Sequence, residues 1–279
     1  MSDVIEIRNV GVVGLGAMGG QLARHLCEAG FMVVGHDIRN EAMDAAAKSG
    51  VERAETLSNL AARSDLVIIG VGFDSEVEAV IFGEDALLAG ARPGTVIAIA
   101  STAAPTTMKK IADRADRPDL TFLDIPMCRG EQAAIDGELL IMGGGDAAVF
   151  DSCRAAFGAF SNSIHYLGAL GAGQAGKLVN NLILWACISA NYEALKLADS
   201  LGVESGPLVA ALLDSSAHNW AMESGVGALP MPWAEKDMTI VLKEADEARV
   251  SLPLSGTIKE VIKGIKIELG QDMPKVADS

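Results

Sequence analysis

Over its first 167 residues the chain alternates short apolar, β-branched runs with segments of helical periodicity. No other feature constrains the fold as much. The first run lies within residues 4–13 (VIEIRNVGVV) and ends at Gly14; the others are 31–36 (FMVVGH), 66–71 (LVIIGV), 96–100 (VIAIA) and 121–125 (TFLDI). Helical stretches at 17–29, 41–48, 57–62, 75–82 and 106–115 separate them. Strands joined through helices form right-handed βαβ units, which build a mostly parallel sheet covered on both faces. Near residue 168 the pattern changes. Residues 171–199 read as one long helix, and 206–213, 233–248 and 254–269 are also helical. The chain of 279 residues has room for two domains at roughly 150 residues each, and with half of it hydrophobic it can bury a sizeable core. The expectation is an α/β domain over 1–167 followed by an all-helical domain over 168–279.

The first run leads into Gly14-Leu15-Gly16-Ala17-Met18-Gly19, a GxGxxG pattern. Six-residue glycine patterns arise by chance in a chain with 30 glycines, but this one closes a strand and opens a helix. There a pyrophosphate meets the N–H groups of a helix start. Gly14 allows the tight turn, Gly16 lets phosphates approach the backbone, and Gly19 lets helix pack on strand. Asp37 ends the second run, followed by Ile38 and Arg39. An acid at that place accepts hydrogen bonds from the adenosine ribose and repels a 2′-phosphate, which favours NAD. Arg39 is either a cation that accommodates that phosphate, keeping NADP open, or a solvated surface charge. This makes the first domain a Rossmann-type, doubly wound dinucleotide-binding domain.

Charge and cysteine usage narrow the partners. Lys and Arg number 22 against 37 Asp and Glu, a formal net charge of −15. Such a field repels nucleic acid and anionic membranes, and an anionic small substrate would need a local cationic pocket. Cys27, Cys128, Cys153 and Cys187 form no CxxC pair and have no clustered His, so neither a metal site nor a disulfide framework is expected. The opening residues, with Ser2, Asp3 and Glu6, lack a basic region followed by an apolar run, and no stretch is long enough to span a bilayer. A reduced, cytoplasmic protein is expected.

Three further motifs join the glycine loop. The first is Asp124-Ile125-Pro126-Met127-Cys128-Arg129-Gly130, followed by Ala134, Gly137 and a Met142-Gly143-Gly144 turn. The second is Gly171-Ala172-Gly173-Gln174-Ala175-Gly176-Lys177-Leu178-Val179-Asn180-Asn181, and the third is Lys236-Asp237-Met238. Together, in this order and over essentially the whole chain, they resemble the β-hydroxyacid dehydrogenase family. That family includes 3-hydroxyisobutyrate, tartronate semialdehyde and 6-phosphogluconate dehydrogenases.

The resemblance implies a nicotinamide-dependent oxidoreductase acting on a small β-hydroxy acid or its semialdehyde. Lys177 would be the general acid/base, and Asn181, one helical turn on, would hold the reacting oxygen. It implies that Val71, Gly72 and Phe73 line the adenine side, that Ser101 and Thr102 of Ser101-Thr102-Ala103-Ala104-Pro105 lie beside the nicotinamide, and that Lys236 reaches cofactor or substrate. Met127, Cys128, Arg129, Gly130, Trp233 and Asp237 would belong to the substrate side. It also implies helical domains that pair into a homodimer or homotetramer.

The chain departs from the family in places. Cys128 stands where the family has Ser, a poorer donor as a thiol, and Arg129 where it has Gly. Arg129 either replaces the carboxylate contact or caps the loop toward solvent. Ile99 stands where an Asp usually precedes Ser101 by two positions. The stretch between Trp220 and Lys236, with Gly225, Gly227, Pro230 and Pro232, is shorter than in the family and implies a reshaped pocket. Two other functions fit the same fold. Imine reductases of this architecture generally lack Lys at the place of Lys177, and a non-catalytic nucleotide-binding module has no use for both Lys177 and Asn181.

Overall fold

The computed structural model describes residues 6–225 and 231–272. Ser2, Asp3, Gly227 and Pro230, singled out above, lie outside the described residues. By contacts the chain divides into two compact units, Met1–Lys177 and Leu178–Ser279.

Among the described residues the first unit is built on a sheet of nine strands: β1 (Asn9–Val13), β2 (Met32–His36), β3 (Glu52–Arg53), β4 (Leu66–Ile69), β5 (Val96–Ile99), β6 (Thr121–Asp124), β7 (Met127–Cys128), β8 (Leu139–Gly144) and β9 (Ser161–Gly168). Their order is β3-β2-β1-β4-β5-β6-β8-β7, with β9 paired to β8. β1 to β6 are parallel, as the alternation of runs and helices requires. The helices are α1 (Gly19–Glu28), α2 (Asn40–Ala47), α3 (Leu57–Ala62), α4 (Asp74–Phe82), α5 (Leu87–Gly90), α6 (Pro105–Ala115), α7 (Gly130–Asp136), α8 (Ala147–Ser152) and α9 (Arg154–Phe157).

Alternate residues of the central strands feed two cores. Val10, Val12, Leu66, Ile68, Val96 and Ala98 enter one. Val13, Val67, Ile69, Ile97 and Ile99 enter the other. A parallel strand covered on both faces is apolar at every position, which is why LVII and VIAI read as unbroken runs. The departure at Ile99 is explained in this way: the side chain is fully buried core.

The run expected within residues 4–13 forms β1, starting at Asn9, where the Asp65 carboxylate accepts the Arg8 and Asn9 N–H groups and delivers the chain into the sheet. One difference from the sequence reading stands out. Met142–Gly144, expected as a turn, ends β8. It lies in register with β9, Met142 opposite His165 and Gly143 opposite Tyr166. Gly143 is required there by the Phe150 ring, which a Cβ would meet at 2.0 Å.

The second unit comprises most of α10 (Ala172–Ser200), then α11 (Ser205–Leu213), α12 (Trp220–Glu223), α13 (Ala234–Glu247) and α14 (Pro253–Glu268). Its core gathers Trp185, Ile188, Ala221, Met231, Met238, Ile258, Ile262 and Ile265. Among the described residues no helix is long and apolar enough to cross a membrane.

Candidate active site

The glycine loop joins β1 to α1. Gly14 has a φ of +84°, and its N–H donates to the His36 carbonyl at 2.9 Å. A Cβ on Gly19 would lie 1.9 Å from the Gly14 carbonyl oxygen, so the crossing of loop and helix requires glycine. The first i to i−4 bond runs from Gly20 N–H to the Gly16 carbonyl at 2.9 Å, and the N–H groups that precede it have no acceptor within the helix. Ala17 is exposed, Met18 caps the helix start, and the Leu15 side chain is core. A pyrophosphate fits such a loop. A Cβ on Gly16 would meet little besides the Arg39 Nη2, at 3.3 Å.

Asp37 stands beside this loop. One oxygen accepts the Leu15 N–H at 2.7 Å, the other the Arg39 N–H at 2.9 Å, and the Arg39 guanidinium reaches both, at 3.1 and 3.2 Å. Burial pushes the carboxyl up, but the Arg39 hydrogen bonds and the Leu15 N–H outweigh it and hold Asp37 below the usual carboxylate range. Ile38 points outward and is 74% exposed. The residues expected to hold a dinucleotide therefore come together.

The expected adenine-side residues are organised around α4. Gly72 and Phe73 donate their N–H groups to the Glu76 carboxylate at 2.8 and 3.0 Å. The Val71 N–H donates to the Ser101 hydroxyl at 2.9 Å, so this serine braces the loop after β4 against the loop after β5. Thr102, beside it, is half-buried.

Residues 127–130 pass from β7 into α7. Met127 pairs with Ile141 and Cys128 with Leu140. Arg129 and Gly130 both take positive φ, 83° and 78°, which explains why glycine suits the place of Arg129. The Arg129 guanidinium turns onto its own unit, donating to the Glu138 carbonyl at 2.8 Å and to Asn162 Oδ1 at 2.6 Å. Of its two expected roles, this is the geometry of a loop cap. Cys128 is buried, and its Sγ lies 3.8 Å from Lys177 Nζ. Burial raises the thiol pKa despite the Lys177 charge. Among the described residues no carboxylate lies within 4.0 Å of Lys177 Nζ.

In the second unit Asn181 is almost wholly buried. Its Nδ2 donates to Asp237 Oδ2 at 2.8 Å, and its Oδ1 accepts from Asn180 at 3.1 Å. Lys236 Nζ lies 3.5 Å from Asp237 Oδ1 and 5.6 Å from the centroid of the Trp233 ring. The sequence reading passed over Glu235 and Lys266. They form a buried ion pair at 2.9 Å, with side chains 9% and 1% exposed, at the first turn of α13. Nothing in their spacing announces it, since α14 supplies the lysine from 31 residues away. It likewise gave no role to the Asp124 carboxylate, which is fully buried and accepts the Gly171 and Gln174 N–H groups at 2.7 and 2.6 Å. Burial raises its pKa against those hydrogen bonds.

A family model described as the NAD binding domain of 6-phosphogluconate dehydrogenase matches residues 9–168, and one described as NAD-binding of NADP-dependent 3-hydroxyisobutyrate dehydrogenase matches 171–277. The chain is 33% identical to an NAD-dependent L-serine dehydrogenase of Pseudomonas aeruginosa over 78% of its own length and 73% of the relative's. It is 30% identical to an L-threonate dehydrogenase of Cupriavidus necator over 91% and 89%. A 3-hydroxyisobutyrate dehydrogenase of Mycobacterium tuberculosis, solved with L-serine, superposes with a TM-score of 0.83 at 25% identity, covering 94% of each chain. The glycine loop with its acid and the lysine of α10 thus sit in a chain that belongs to the β-hydroxyacid dehydrogenase family of NAD(P)-dependent oxidoreductases.

Proposed function

We propose that the protein oxidises the CH–OH group of a small β-hydroxy acid, or reduces the matching semialdehyde, with Lys177 as general acid/base. The observation that carries this reading is the Lys177 amine, 3.8 Å from Cys128 at the end of β7 and with no carboxylate within 4.0 Å among the described residues. A lysine so placed takes the hydroxyl proton during oxidation and returns it to the carbonyl oxygen during reduction. The nicotinamide cofactor, when bound, exchanges the hydride.

Asn181, held by Asp237, presents a fixed amide one turn beyond Lys177. Its Nδ2 carries two hydrogens, and Asp237 takes one. Ser101, Thr102 and Gly130 serve the cofactor and acid group through backbone and loop shape, and Lys236 contributes positive charge to bind an anion. Relatives named for L-serine and L-threonate support a short, polar hydroxy acid. Asp37, kept ionised, supports NAD over NADP. Its partner Arg39 is the residue that would receive a 2′-phosphate.

We further propose a homodimer or homotetramer. α11 (SGPLVAALL) is strongly apolar yet has no buried residue, and Leu197, Leu201 and Val203 near it in sequence are also exposed. Such a face calls for cover, and light scattering of the purified protein checks it.

The catalytic reading is tested with a panel of hydroxy acids and NAD or NADP in parallel. Lys177→Ala is expected to lower kcat on the best substrate by about 10²–10⁴-fold, the range general acid/base catalysis contributes, with NADH binding retained. Near-normal turnover in that variant removes the proton-transfer role.

A further inference from the structure

Gln174 is fully buried in the first turn of α10, three residues before Lys177. Its side-chain amide spans the loop after β5: Oε1 accepts the Ala103 N–H at 3.1 Å, and Nε2 donates to the Ser101 carbonyl at 2.7 Å. Its backbone N–H meanwhile donates to Asp124 at the end of β6. One residue thus ties together the start of the lysine helix, the Ser101–Ala103 loop and a central strand. Glycines clear the space around it. A Cβ on Gly173 would stand 2.4 Å from the Met142 carbonyl oxygen.

An apolar side chain of similar volume would fill the site without desolvating an amide, so packing alone does not call for glutamine. What the amide adds is direction. Two hydrogen bonds to one loop set both its distance from the helix turn and its rotation about it.

We infer that Gln174 is a positioning residue, whose carboxamide locks the Ser101–Ala103 loop to the helix turn carrying Lys177. The inference rests on the reading of Lys177 as the proton-transfer group. Misplacing a reacting group by about 1 Å costs up to about 10²-fold in rate, so the clamp acts on kcat and little on ground-state binding.

Gln174→Met, Gln174→Glu and Lys177→Met, made in the full chain, test it. Gln174→Met is expected to lower kcat by about 10- to 100-fold, while KM for the hydroxy acid and Kd for NADH, followed by its fluorescence, stay within about threefold. Gln174→Glu gives a sharper reading. Its carboxyl, when protonated, offers the same donor and acceptor as the amide; when ionised, it has no hydrogen for the Ser101 carbonyl. Activity of Gln174→Glu relative to the parent therefore rises as pH is lowered, while the ratio for Gln174→Met stays flat.

A kcat for Gln174→Met within about threefold of the parent overturns the clamp, as does a flat pH ratio for Gln174→Glu. Should Gln174→Met fail to fold by circular dichroism, the pH ratio of Gln174→Glu decides. Lys177→Met separates the two ideas. If it keeps turnover, the catalytic reading has failed; if it is inactive and Gln174→Met is unimpaired, only the clamp has failed.

Discussion

Lys266 and Glu235 meet at 2.9 Å with almost no exposure to water. At an effective dielectric of about 20 their attraction is about 6 kcal/mol, against a desolvation penalty of several kcal/mol for each ion, so the pair itself is close to neutral. Removing one partner is another matter. Lys266→Met leaves the Glu235 carboxylate buried without its counter-charge and is expected to cost about 3–5 kcal/mol. That raises the unfolding constant by roughly 10²- to 4 × 10³-fold, at about 1.4 kcal/mol per factor of ten. Replacing both, with Glu235→Leu and Lys266→Met together, removes the orphan and is expected to restore stability to within about 1 kcal/mol of the parent, or to exceed it. Trp185, Trp220 and Trp233, the three tryptophans of the sequence, all lie in the second unit, so tryptophan fluorescence during urea unfolding reports on the part of the chain that holds the pair. A loss below about 1 kcal/mol in Lys266→Met, or a double variant as unstable as the single one, refutes the reasoning.

Gly19→Ala places a methyl 1.9 Å from the Gly14 carbonyl oxygen and is expected to weaken NADH binding at least about tenfold, with about 1–3 kcal/mol of overpacking strain; an unchanged NADH titration contradicts this. Arg129→Ala loses the bonds to Glu138 and Asn162 yet keeps the positive-φ strain, whereas Arg129→Gly relieves it, so the glycine variant should be the more stable by about 1 kcal/mol in thermal melts. Neither is expected to raise KM for the acid substrate more than about threefold, since the guanidinium is engaged within its own unit. Asp37 titrates below the usual carboxylate range, so its contribution to stability is complete above that range and is lost as pH falls through the depressed value. In Asp37→Asn this acid limb of the Tm profile should be missing.

The parallel sheet was readable because each buried strand must be apolar along its length, and LVII and VIAI advertise that. β8 and β9 were not. β8 ends in glycines, and β9 (SNSIHYLG) is mostly half-buried or exposed, so neither carries a strong period. The glycine loop could be located at once, because steric exclusion at Gly14 and Gly19 is a local demand written into consecutive residues.

Arg129 shows the opposite case. Its charge and its place in the motif left an anion contact and a loop cap both open, and in the folded chain the guanidinium reaches the Glu138 carbonyl and Asn162, 33 residues further along the chain. Local propensity, hydrophobic period and the turn chemistry of glycine act between near neighbours, so the sequence alone determined the α/β and helical halves and the place of the glycine loop. The Glu235–Lys266 pair, the hold of Asp237 on Asn181 and the bracing of Ser101 by Gln174 came only with the folded chain. Hydrogen bonds and ion pairs between distant segments depend on distances that no spacing in the sequence specifies.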